Sequence, residues 1–269
     1  MALDISRFFE IDNATYADKS VVVYKFKDKL TDEFVSELLL PFRQAYVSDE
    51  ELDTGIDEEL WATREEGANM QVPTRPNLRS GEFAEILLYF LSLCLRCPDA
   101  NIAPLKWRWK ENQDMPCHLT DIVLAKCDDE NNPSAEDYLY FVESKAAATP
   151  LRNTATTSVM NDGIVGAVND SVSRASKTIA YLITKYSKEK EYDKARKIKR
   201  FKDPVDSVEY KRYTNAAIVV DSGSLDKHID NITAENLEKA KKNNISLFAV
   251  PFTEMKALYE RMYNEAVKV

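Results

Sequence analysis

The run His118-Leu119-Thr120-Asp121-Ile122-Val123-Leu124-Ala125 is followed, after a polar loop, by Asp137-Tyr138-Leu139-Tyr140-Phe141-Val142-Glu143-Ser144-Lys145-Ala146, and this pair decides how the chain reads. Both segments have the β-branched and aromatic content of strands. A strand rises about 3.3 Å per residue and alternates its faces, so Glu143 and Lys145 share a face about 7 Å apart with Ser144 turned away. With the Asp121 strand paired alongside, the Asp121 and Glu143 carboxylates can converge on one divalent cation. Hard ions such as Mg²⁺ take oxygen ligands and suit phosphate chemistry. Lys145 is then placed to hold an attacking water or a phosphate. The bland alternative is a salt bridge at a strand end, since Glu-x-Lys arises by chance in a chain with 30% charged residues. Against it stand Leu139, Phe141 and Val142: they make the run apolar, and Glu or Lys is seldom buried without a partner.

Working outward, Arg79-Ser80-Gly81-Glu82-Phe83-Ala84-Glu85-Ile86-Leu87-Leu88 predicts a helix capped by Ser80, with an apolar stripe of Phe83, Ile86, Leu87, Phe90, Leu91 and Cys94. Glu82, Glu85 and Tyr89 fall on a second face, from which a glutamate could reach a site above the sheet. Trp107 and Trp109 alternate with Lys106, Arg108 and Lys110, a period of two that predicts the first core strand. After Lys145 a polar connection with Arg152 leads to a helix over 164–186 with Val165, Val168, Val172, Ala175, Ile179 and Leu182 on one side and Asp170, Arg174 and Lys177 on the other. The apolar runs 216–220 and 245–250, separated by a helix over 233–243, predict a crossover between parallel strands. An amphipathic helix over 252–267 closes the chain. Residues 1–75 predict an α/β appendage: a strand at 21–26, then a helix capped by Thr31 or Asp32 that carries Phe34, Leu38, Leu39 and Phe42. Pro73 and Pro76 place the start of the core, residues 76–269, at about 76.

The 269 residues carry a net charge of −9, which argues against a protein whose whole surface wraps nucleic acid. The distribution is uneven. Residues 48–66 hold nine acids against Arg64, whereas residues 185–202 hold nine bases against three acids. The acidic run reads first as a solvated loop and short helix. The basic run reads equally as a salt-bridged helix or as a phosphate-binding patch, with Arg196, Lys197, Lys199 and Arg200 its densest part. Two histidines leave little room for a Ser-His-Asp or Cys-His site. Cys94, Cys97, Cys117 and Cys127 are expected as free thiols, and one CxxC is too little for zinc. Apolar runs of about half the bilayer-spanning length, with no basic and then apolar N-terminal segment, predict a soluble cytoplasmic protein with no membrane partner.

The Asp121, Glu143 and Lys145 set resembles the D…ExK arrangement of the PD-(D/E)xK nucleases, although no proline precedes Asp121. Taken in order, GEFAEILLYF (81–90), KWRWKENQDMPCHLTDIVLA (106–125) and YFVESKAA (140–147) make the chain similar to the HamA family, the nuclease component of the Hachiman antiphage system. That resemblance implies an α/β fold with a restriction-endonuclease-like αβββαβ core, a central mixed sheet flanked by helices. It also implies Mg²⁺ or Mn²⁺ held by Asp121, Glu143 and a helix acid, Glu85 ahead of Glu82, with Lys145 completing the catalytic set. DNA would be the substrate and a superfamily 2 helicase, HamB, the partner. The helix after the ExK strand would face DNA, making Arg174 and Lys177 secondary nucleic-acid contacts beside Lys145. Two alternatives stay open: a binding or assembly subunit of the same fold without chemistry, and an enzyme acting on RNA or on a special DNA structure.

Overall fold

The computed structural model describes residues 3–117, 120–152, 154, 156–202 and 208–269, with the side chain of residue 172 outside that description. His118, at the head of the Asp121 run, and the Val172 side chain, expected on a helix stripe, therefore lie outside the described residues. Strands β1 (Phe9–Asp12) and β2 (Val21–Phe26) precede helices α1 (Thr31–Gln44), α2 (Asp49–Asp57), α3 (Arg64–Asn69) and α4 (Pro76–Leu95). Next come β3 (Ile122–Lys126), β4 (Tyr138–Ala147), α5 (Val159–Asn169), α6 (Ala175–Lys188) and α7 (Tyr192–Lys199). The chain ends with β5 (Lys211–Asp221), α8 (Leu225–Asp230), α9 (Ala234–Lys242), β6 (Ile245–Phe252) and α10 (Met255–Ala266).

The strands form one mixed sheet in the order β1-β2-β6-β5-β4-β3. Its centre is parallel (β2-β6-β5-β4) and both flanks are antiparallel. Parallel strands need cover on both faces, and their sequences are correspondingly apolar throughout: Ala216 to Val220 is fully buried. One face packs under α1, α4 and α10 through Tyr140, Val142, Ala217, Val219, Phe248 and Val250. The other face packs under α5 and α9 at the centre and under α6 and α7 at the β3 edge.

The region expected as an appendage adds its two strands to this sheet. A cluster of Phe8, Phe9, Phe26 and Phe34 stacks on Phe252 of β6, with ring centroids 4.7 to 6.2 Å apart, while the expected boundary falls at the first turn of α4. The acidic run forms α2 and α3, the first held by a Ser48–Glu51 capping box and the two joined over Trp61, whose ring lies against Gly55 and Gly67. The buried Arg43 ties this corner to the chain end, donating to the Val47 carbonyl at 3.0 Å and to that of Val269 at 3.2 Å.

Several sequence expectations are corrected. α4 starts at Pro76, a turn before Ser80, because proline suits a first helical position whose N–H has no acceptor. α1 has no side-chain cap; Thr31 lies inside it and gives its hydroxyl to the Asp28 carbonyl. Lys106–Trp109 is a 3-10 turn, not a strand, because Lys106 and Lys110 turn inward to carboxylates on α4 instead of alternating into solvent. The long helix over 164–186 is broken by a π turn at Asp170–Arg174. Its extra residue shifts the helical phase, so Ile164 and Ala167 pack on the sheet centre while Ile179 and Leu182 pack at the edge, and Val165 is exposed.

Candidate active site

The pairing of β3 with β4 places Ile122 opposite Val142 and stops there, so Asp121 stands at the end of β3 beside Glu143 while Glu143–Ala147 continue past it. The open edge of β4 is closed by the Asp121 side chain, whose Oδ2 accepts from the Ser144 N–H at 2.8 Å. Alternation puts Glu143 and Lys145 on the α5 face, as their spacing predicts. Lys145 Nζ donates to Glu143 Oε1, and the Glu143 side chain is 7% exposed against 33% for Lys145. The carboxylate fits because α5 has glycine where it crosses: a Cβ on Gly166 would stand 2.4 Å from Glu143 Oε1 and 2.5 Å from its Cδ.

Two further acids border this pair. Asp170, in the π turn, is buried with Oδ2 unpartnered, and Arg174 Nη1 lies 3.5 Å from its Oδ1 and 4.0 Å from Glu143 Oε2. Thr120 and Thr178 join hydroxyls beneath them at 3.1 Å. Glu85 comes from α4, around the edge strand, and accepts from Lys106 Nζ at 3.0 Å and from the Trp107 indole at 3.2 Å. Lys106 also lies 3.9 Å from Asp121 Oδ1, so it bridges the helix acid to the strand acid. Glu82, one turn away, pairs with the buried Lys110 at 2.6 Å and makes no contact with Asp121 or Glu143.

The electrostatics are those of acids crowded in a poorly solvated place. Burial, and then the Asp121 charge, push Glu143 up to about 7 despite Lys145. Burial pushes Glu85 up to about 7, opposed by Lys106 and reinforced by Asp121. Asp170 is raised by burial and by Asp121. For Lys145, burial pulls downward and is outweighed by Glu143, so the ammonium is held. Among the described residues no three Asp, Glu, His or Cys side chains form a ready cation-binding group. Lysines and a backbone N–H cover one oxygen each on Glu143, Glu85 and Asp121. Asp121 Oδ1 and Glu143 Oε2, met only distantly by Lys106 and Arg174, and the orphaned Asp170 Oδ2 are nonetheless the hard donors that Mg²⁺ or Mn²⁺ takes, and positive charge would relieve their mutual repulsion.

This pattern fixes a sign for pH. A carboxylate raised by folding binds its proton more tightly in the native state, so its contribution is present below the unfolded value near 4.5 and is lost as pH rises through about 7. The metal-free protein should therefore lose stability across that window. Glu143→Gln should remove part of the loss, and comparing the two proteins cancels the opposite trend of His228, which burial lowers. Denaturant midpoints measured at intervals from pH 4.5 to 8 give the answer; identical slopes for the two proteins would reject the raised Glu143.

Of the remaining candidates only Arg174 reaches the acids. Arg174 touches Glu143, and Lys177 is exposed on α6. Arg196 is engaged by Glu130 at 2.7 Å and Lys197 by Asp193 at 3.3 Å, while Lys199 is exposed. Arg200, 4% exposed, faces the buried Asp137 at 3.4 Å and serves the fold. Lys106 and Thr120 carry no functional signal in the sequence pattern, and Asp170, on the helix side opposite the apolar stripe, is buried. Gly166 carries only a structural signal: glycine inside a helical pattern costs about 1 kcal/mol and tends to mark close packing.

The class defined by these observations is a mixed α/β protein with an acid and lysine site at the open end of its sheet edge. The chain belongs to the HamA family, whose model matches residues 5–266, and is thereby a Hachiman antiphage defence protein. No curated protein matches it. Among the described residues no helix is long and apolar enough to cross a membrane.

Proposed function

We propose that this chain is the metal-dependent nuclease of its defence system, hydrolysing phosphodiester bonds of DNA at Asp121, Glu143 and Lys145. One observation supports the reading: the end of β3 sets Asp121 beside Glu143, with Lys145 next on the same face, a placement that suits the D…ExK set the sequence resembles. Mg²⁺ or Mn²⁺ would be held by Asp121 and Glu143, with Asp170 contributing the unpartnered oxygen and Glu85 acting through Lys106. The ion supplies Lewis-acid polarisation of the phosphate and a more acidic water. Lys145, the better exposed partner of the ion pair, would present its ammonium to the scissile phosphate. Arg174 adds a second positive group beside the same carboxylate. Lys177 and Lys199 are free to meet the nucleic-acid backbone, and a helicase, HamB, is the partner that would govern access.

A second reading has its own support. The lysines already covering Glu143 and Glu85, with no ready three-acid group, suit a subunit that keeps the fold and binds without cutting. Metal binding separates the two. Cation uptake by crowded acids stabilises the native state by mass action, and at a hundredfold excess over the dissociation constant the gain is about 2.7 kcal/mol. Calorimetry at pH 8 with millimolar Mg²⁺ or Mn²⁺ should record heat of binding and a raised unfolding temperature, both lost in Asp121→Asn. Neither signal in the wild type would favour the binding subunit.

A further inference from the structure

An open cleft of about 300 Å³ lies between the Lys106–Trp109 turn and α6, lined by Lys106, Trp109, Lys110, Tyr181, Lys185 and Lys188, with Glu111 as its acid. A smaller cavity shares Lys106 and Tyr181 with it and reaches Thr120, Asp121 and Thr178. Lys106 and Tyr181 thus line both the open cleft and this cavity of about 20 Å³, which borders Asp121. The floor is built: Lys106 and Lys110 are 10% and 5% exposed and fixed by Glu85 and Glu82. Two aromatic rings form the wall, Trp109 and Tyr181, edge to face with centroids 6.0 Å apart, and Lys185 Nζ stands 5.4 Å from the Tyr181 ring. Lys188 is exposed at the rim.

We propose that this cleft receives an unpaired stretch of the nucleic-acid substrate, one base against the Trp109–Tyr181 wall and the neighbouring phosphates on Lys185 and Lys188, on the side of Lys106 away from Asp121, which Lys106 approaches to 3.9 Å. Half-buried rings flanked by lysines are the combination that holds single strands: stacking accepts any base, and lysines follow the backbone. A duplex keeps its bases stacked on one another and has no free ring face to offer the wall. The inference rests on the proposed nuclease reading, and binding measured without metal keeps the two separable.

The test is anisotropy of a labelled eight-nucleotide DNA strand with the full chain in EDTA. Tyr181→Leu should weaken binding about 5- to 150-fold, the range that follows from losing one stacked base. Lys185→Gln with Lys188→Gln should flatten the slope of log affinity against log salt by about 1.4, or 0.7 per phosphate contact. Lys188 is exposed, so Lys188→Gln alone gives a variant that folds and should carry half of that change. Unchanged affinity and slope in all variants would overturn the cleft as a strand site, as would an eight-base-pair blunt duplex that binds as tightly and is equally weakened by Tyr181→Leu. Strand binding that depends on Tyr181 in a chain that never cuts would remove the nuclease reading and leave the cleft standing.

Discussion

Glu143→Gln is expected to lower cleavage by at least 10²- to 10³-fold while the protein stays folded. Losing one preorganised charged contact at a reaction centre has about that effect, and the same carboxylate would also hold the cation. The fold should tolerate the change well: Glu143 is a buried acid raised to about 7, so a neutral isostere removes a desolvated charge and leaves Lys145, a third exposed, to the solvent. Lys145→Met should also stop cleavage but behave differently in stability, because Glu143 then has no ammonium beside it and takes up a proton instead. Its unfolding midpoint should drop more at pH 8 than at pH 5. Rates under single turnover, read beside melting curves at both pH values, separate a catalytic loss from unfolding; a wild-type rate in Glu143→Gln would remove this residue from the centre.

Gly166→Ala should inactivate without touching any functional group. The added methyl would lie 2.4 to 2.7 Å from three atoms of Glu143, too close for any real contact, and the β4 backbone is paired there with Ala216 of β5, so the carboxylate must swing away from Lys145. Displacement of a reacting group by about 1 Å costs on the order of 10²-fold in rate. Gly163→Ala is the matched control one turn earlier, where a Cβ would meet Lys145 Cγ and the Ala216 methyl at 3.7 Å, ordinary contact distance. It should keep activity and gain up to about 1 kcal/mol, since alanine is the better helix former. Equal activity in the two variants would mean that Glu143 is free to relocate.

Much of this site was legible in the sequence. The period of two fixed Glu143 and Lys145 on one face, and apolar runs at 216–220 and 245–250 with a helix between them gave the parallel crossover that the structure has. Three things were hidden for physical reasons. Lys106 and Lys110 alternate with tryptophans as a strand would, and only the acids of α4, far away in sequence, explain why they turn inward. Asp170 sits among charged residues on a helix, and only the one-residue phase shift of the π turn explains its burial. The joining of β2 to β6 is a long-range pairing with no local signature, so residues 1–75 read as separate although their strands extend the same sheet. The basic run reads equally as a salt-bridged helix or a phosphate-binding patch because the acids that engage it, Asp137 and Glu130 for Arg200 and Arg196, lie far away in sequence, with Asp193 pairing Lys197 locally.

The most direct measurement is the fate of labelled DNA, duplex and single-stranded, and of RNA, with the purified wild-type chain at pH 8, alone and with the proposed helicase partner, in millimolar Mg²⁺ or in EDTA. Shortened DNA products that form with Mg²⁺ and disappear in EDTA are expected. Intact substrates throughout, from a folded protein with metal and helicase both present, would contradict the assignment of a nuclease centre to Asp121, Glu143 and Lys145.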